Sequence, residues 1–115
     1  MSKEDYYLQG MDLFAGGKLE EAVQAYRNAL KEDPGYGDAL HALAMTSAQL
    51  GRLDEAIEAA KKLIEVAPED ELAYASLSIF YQQKGMIAEA EQIAAQGRTL
   101  GWKRQLQERS EPEKK

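Results

Sequence analysis

The chain has 115 residues, a net charge of −6 and no cysteine. Its 44% hydrophobic and 30% charged content describes one folded domain or short array, not a disordered chain. Without cysteine there is no thiol nucleophile, no cysteine metal site and no disulfide, which fits a reducing compartment. The last stretch, 103–115, holds five basic and three acidic residues, so residues 1–102 carry −8. A body that acidic repels a phosphate backbone, and nucleic-acid binding is not expected. No apolar run approaches the ~20 residues that span a bilayer. The polar start, Met1-Ser2-Lys3-Glu4-Asp5-Tyr6, lacks the apolar stretch of a signal peptide. A cytoplasmic protein is the expectation.

Along the chain, Ser2 with Asp5 three positions on predicts an N-cap whose acidic partner reaches back. Tyr6, Tyr7, Leu8, Met11, Leu13 and Phe14 follow as the apolar side of a first helix, which Gly16-Gly17 breaks. Leu19, Ala22, Val23, Tyr26, Ala29 and Leu30 recur at helical spacing in a second. Glu20 and Glu21 in its first turn and Lys31 in its last suit the helix dipole. Asp33-Pro34 predicts a cap and first-turn proline for the next unit. Helices are expected at 38–50 and 53–66 around Gly51. Pro68 with Glu69-Asp70-Glu71 opens a third pair, near 71–84 and 86–99 around Gly85. No strand is expected.

The same residue types return every 34 positions. Gly17, Gly51 and Gly85 keep that step, as do Ala22, Ala56 and Ala90, and Pro34 and Pro68. Such a period marks one supersecondary unit copied three times. Ala22, Ala56 and Ala90 fall where the helices of a pair cross, and Gly10, Ala44 and Ser78 hold a matching small slot. A bulky residue there would push the axes beyond their usual 8–10 Å or so. Tyr6, Leu40 and Tyr74 supply large partners in one register, and Leu19, Leu53 and Ile87 in another.

On these residues the chain resembles the tetratricopeptide repeat family over about residues 3–102. The first unit matches that family's pattern at Tyr6, Gly10, Ala22, Tyr26, Ala29 and Pro34. The second matches at Leu43, Ala44, Ala56 and Pro68, and the third at Tyr74, Leu77, Ser78, Tyr81, Ala90 and Ala94. Gln9, Leu13, Ser47, Ala60, Leu63 and Gly97 depart from it, and Trp102 stands where a proline would fall. The resemblance implies an all-α superhelix of three helix-turn-helix repeats, about 3–36, 37–70 and 71–102. Residues 103–115 form a charged C-terminal tail. A last repeat leaves one face without a neighbour. That face holds Ile93, Ala94, Gly97 and Leu100, and Trp102 and Leu106 are expected to fold back over it as a short capping segment. Residues 110–115, Ser-Glu-Pro-Glu-Lys-Lys, read as disordered.

Catalytic chemistry finds little support. His41 is the sole histidine, with Asp38 three positions before it, and the pair lacks the third group a site needs. One histidine among scattered carboxylates gives no zinc spacing, and Glu69-Asp70-Glu71 lacks the alternation and glycine of a calcium loop. No metal, no cofactor and no enzymatic activity are expected. Lys18 after Gly16-Gly17 lacks the long glycine-framed loop of a phosphate site.

The resemblance places the first helix of each unit on the concave side of the superhelix. It thereby assigns a groove to Tyr7, Met11 and Phe14, then His41, Met45 and Gln49, then Ala75, Ile79, Gln82 and Gln83. Met11, Met45 and Ile79 stack in one row, and Tyr7, His41 and Ala75 in another. Unbranched thioethers repack around varied shapes, so the first row suits the apolar face of a helix or peptide. At helical spacing such stripes also serve as core. Family members that hold chaperone C-termini do so with a clamp of lysines, asparagines and an arginine. The matching slots here are Tyr7, Met11, Ala42, Leu72 and Ser76, none cationic and none an amide, so that clamp is absent. The expected function is a non-enzymatic protein-interaction module of adaptor type, its partner a protein or peptide. The alternative is a homodimer built through the groove or the exposed last helix.

Overall fold

The computed structural model describes residues 1–110. It contains six helices: α1 (Lys3–Ala15), α2 (Leu19–Glu32), α3 (Gly37–Gln49), α4 (Leu53–Val66), α5 (Glu71–Gln83) and α6 (Ile87–Ser110). Among the described residues there is no strand. Of the end expected to be disordered, 110–115, Ser110 is instead the last residue of α6, and 111–115 lie outside the described residues.

Local chemistry sets the helix starts. Ser2 and Asp5 form the reciprocal capping box, with the Asp5 N–H donating to Ser2 Oγ and the Ser2 N–H donating to Asp5 Oδ2, both at 3.1 Å. Asp70 caps α5 by accepting the Leu72 N–H at 3.0 Å. Pro34 sits elsewhere than expected. It stands in a turn three residues ahead of α3, not in its first helical turn, while Pro68 precedes α5 by three residues and opens the third pair. Asp33 accordingly does not cap α3; its Oδ1 accepts the Gly35 N–H at 3.1 Å inside that turn. The recurring glycines explain their own period. Gly17, Gly51 and Gly85 have φ of 80, 78 and 86°, a left-handed conformation that reverses the chain within each hairpin and strains any residue with a Cβ.

Each hairpin packs on itself, and α3 and α5 pack on the hairpin before them. Ala22, Ala56 and Ala90 are fully buried at the crossings. Consecutive first helices, α1 to α3 to α5, come into packing distance; α2, α4 and α6 do not approach one another. The array therefore curves, with α1, α3 and α5 on its inner side. Long side chains span the wider outer gap, where Arg27 of α2 pairs with Glu55 of α4 and Arg52 donates to Glu20 at 2.7 Å. Lys84 likewise pairs with Asp54. The radius of gyration, 16.0 Å, exceeds the ~13 Å of a compact domain of this length, as a solenoid's should.

The end of the chain departs from expectation. The last helix does not stop near residue 99, and among the described residues no segment folds back. α6 runs 24 residues, against 14 for α2 and α4, and carries Trp102 and Leu106 straight outward. Trp102 is 58% and Leu106 45% exposed, so neither covers Ile93, Ala94, Gly97 or Leu100. Two features sustain the helix past residue 99. Gly97 and Gly101 let α6 lie close along α5, beside Tyr74 and Glu71, and Arg104 donates through Nε to Glu71 at 2.6 Å and through Nη1 to Glu108 at 3.1 Å. Trp102, unlike proline, keeps its backbone N–H and does not interrupt the ladder.

Candidate partner-binding groove

The inner face rests on an aromatic cluster at its first end. Tyr26 of α2 is 1% exposed and lies under Gly10 of α1, where a Cβ would come 2.4 Å from Tyr26 Cε1. Only glycine lets α1 settle over that ring. The Tyr26 hydroxyl donates to the Met11 sulfur at 3.6 Å, and burial pushes its phenol pKa up. Tyr7 packs between Tyr26, with ring centroids 6.1 Å apart, and Tyr36, 5.6 Å away and edge-on. Lys3 closes the cluster, its ammonium 4.9 Å from the Tyr36 ring centre and 2.6 Å from Asp33 Oδ2.

The methionine–isoleucine row begins beside this cluster, at Met11, and is open to water. Met11, Met45 and Ile79 are 44, 39 and 50% exposed, unusually high for large apolar side chains spaced as a core stripe would be. The other positions divide. Tyr7 and Phe14 are half-buried and packed on the core, and His41 is half-buried. Gln49, Ala75, Gln82 and Gln83 are exposed. Asp38 and His41 share no hydrogen bond. Among the described residues no three histidine, aspartate or glutamate side chains stand together as metal ligands.

At the far end the character changes. Ala75 and Ile79 open into a cleft of about 600 Å³ between α5 and α6, lined also by Leu72, Ala94, Gly97 and Arg98. Leu72 is an exposed apolar residue that the sequence reading used only as an empty clamp slot. Its signal was available: the same register position holds Glu4 in the first unit and Asp38 in the second. Leu8 is similarly exposed, on α1.

The tetratricopeptide repeat profile matches residues 13–78, and the chain belongs to that family. Its fold is close to that in the crystal structure of MamA, with a TM-score of 0.87 and 30% identity over 90% of this chain and 60% of that one. It also resembles the second tetratricopeptide domain of Spaghetti (RPAP3), solved bound to an HSP90 peptide, SRMEEVD. There the TM-score is 0.80 and the identity 20%, over 87% of this chain and 93% of that one. A curated relative, the rhomboid protease GluP of Bacillus subtilis (strain 168), is 27% identical over 76 residues. The chain spans 60% of the MamA structure and 15% of the protease. Among the described residues no helix is long and apolar enough to cross a membrane.

Proposed function

We propose that the protein is a non-enzymatic adaptor that holds the apolar face of a partner's helix or peptide along the inner side of its three repeats. One observation carries this reading: Met11, Met45 and Ile79 recur at one-repeat steps and remain exposed. A solvated side of a stable helix has no use for them, while a deformable apolar strip is what a docked amphipathic segment covers. Tyr7 and Phe14 extend that strip, and His41, Gln49, Gln82 and Gln83 offer hydrogen bonds beside it. Ala75 leaves room for a larger partner side chain. The relative bound to an HSP90 peptide supports peptide binding as a use of this fold. An acidic peptide of that kind does not suit this groove, because Tyr7, Met11, Ala42, Leu72 and Ser76 give its carboxylates no cation. A cysteine-free chain fits work in the cytoplasm.

Substituting Met11→Glu together with Met45→Glu tests the reading. Both side chains are exposed, so helix content by circular dichroism should hold. Proteins captured from native lysate by the wild-type chain and identified by mass spectrometry should be lost with the double variant. Unchanged capture rejects the groove.

A further inference from the structure

The outer side of α6, away from α5, is an open face. Among the described residues α6 packs only on α5, and beyond Arg104 it extends past the first turn of α5. A protruding helical end of this length is marginal in water without something to pack on.

The side chains of that face follow a helix-pairing pattern. Glu91, Ala95, Arg98, Trp102, Gln105 and Arg109 succeed one another at alternating steps of four and three, the spacing of a seam between two helices, and all six are exposed. The seam is acidic at its start and basic at its end. Laid antiparallel against a copy of itself and centred on Leu100, it sets Glu91 opposite Arg109, Ala95 opposite Gln105 and Arg98 opposite Trp102. Two-fold symmetry makes each pairing twice. The first is a charge pair, and the last sets a guanidinium against an indole face.

The other end of the array does not offer a matching occupant. Where α3 and α5 bury Ala39 and Ala73, α1 carries Asp5, and where they bury Thr46 and Phe80 it carries Asp12. A head-to-tail stack would set those carboxylates against an apolar cleft.

We infer that the chain forms a two-fold dimer through antiparallel pairing of α6 with α6 of a second copy, with Trp102 of each against Arg98 of the other near its centre and Glu91 against Arg109 at its ends. This surface is separate from the methionine row and stands without the groove reading.

Sedimentation velocity over a wide concentration range, with the emission of Trp102 as the sole tryptophan, tests it. The wild type should become a dimer as concentration rises, with Trp102 emission moving to the blue. Glu91→Arg or Arg109→Glu alone sets like charges opposite each other twice, and should raise the dissociation constant at least about tenfold. The double variant Glu91→Arg with Arg109→Glu restores both pairs in reverse and should return to within about threefold of wild type. Both residues are exposed, and circular dichroism verifies that the variants keep their helix content. A wild type that stays monomeric at every concentration overturns the inference. So does a dimer indifferent to Glu91→Arg and Trp102→Ala, or growth into open chains.

Discussion

The first and third hairpins share one register and fill it in opposite ways. Where the first places Tyr7, Gly10 and Tyr26, the third places Ala75, Ser78 and Ala94. In the first, two rings occupy the space between the helices and a glycine makes way for them; in the third, small residues leave a cleft of about 600 Å³. The ion pair across the open end is reversed as well. Lys3 at the start of α1 meets Asp33 after α2, while Glu71, the counterpart of Lys3, meets Arg104 on α6. The second hairpin has Gly37 and Ala67 at those places and needs no latch, because neighbours cover it on both sides. A repeat unit is thus a frame whose slots are filled according to what lies next to it. The N-terminal unit is packed from within, and the C-terminal unit keeps an open cleft.

Emptying the first frame should have the largest effect. Tyr26→Ala removes a ring that is 1% exposed and should cost ~3–5 kcal/mol in urea unfolding. Ala94→Tyr places the same ring at the equivalent point of the third hairpin, on the open cleft, and should change stability by no more than about 1 kcal/mol. Equal costs for the two substitutions would erase the contrast between the ends.

The small slot gives the next contrast. Gly10→Val drives a branched side chain into Tyr26 and should cost ~1–3 kcal/mol. At the same slot in the third hairpin Ser78 uses its hydroxyl, which donates to the Ala90 carbonyl at 2.9 Å in a buried setting. Ser78→Ala should therefore lose only ~1 kcal/mol. Chemical denaturation of the two variants side by side checks the order.

Two glycines of α6 sharpen the picture of the C-terminal end. An added Cβ at Gly101 would meet only the Glu71 carboxylate, at 2.9 Å, and that flexible group can turn aside. Gly101→Ala should then gain ~0.5–1 kcal/mol from helix propensity, less what Glu71 loses in its pair with Arg104. At Gly97 the Cβ would lie 3.0 Å from Tyr74 Cβ, an atom fixed to the backbone, so Gly97→Ala should gain less or nothing. Thermal melts should rank Gly101→Ala above Gly97→Ala.

The frame was legible in the sequence, and its ends were not. The 34-residue step of Gly17, Gly51 and Gly85 located the hairpin turns, since a left-handed residue is required at each. Ala22, Ala56 and Ala90 likewise located the crossings. Both depend on contacts that every copy repeats. Pro34 misled by three residues because a proline fits a turn as readily as a first helical position. The path beyond residue 99 was misread for a different reason. A single Trp102 in a proline slot marks a departure from the repeat, but does not say whether the helix ends there; that depends on the Glu71–Arg104 pair and on the close approach at Gly97, both particular to the third hairpin. For the groove positions, spacing alone does not separate an exposed methionine row from a buried one. The exposure of Met11 and Met45 follows from the curvature that turns α1 and α3 inward.

The smallest effect is one of pH, and it belongs to the first hairpin. Asp5 is held below the usual carboxylate range by the Ser2 N–H and hydroxyl, and Asp33 by the Lys3 ammonium and the Gly35 N–H. A carboxylate with a depressed folded pKa stabilises the fold above its unfolded value, about 3.9, and that stabilisation fades as pH falls through the folded value. Acid should therefore loosen the start of α1 and its latch to the end of α2. Hydrogen exchange along α1 should accelerate, relative to the exposed-amide rate, as pH falls below about 4. Asp33→Asn should weaken protection there at neutral pH and flatten its acid dependence. Both side chains are solvated, so the change will be slight. An α1 whose protection is indifferent to acid and to Asp33→Asn would mean that the Tyr7, Tyr26 and Tyr36 cluster alone holds the first hairpin closed.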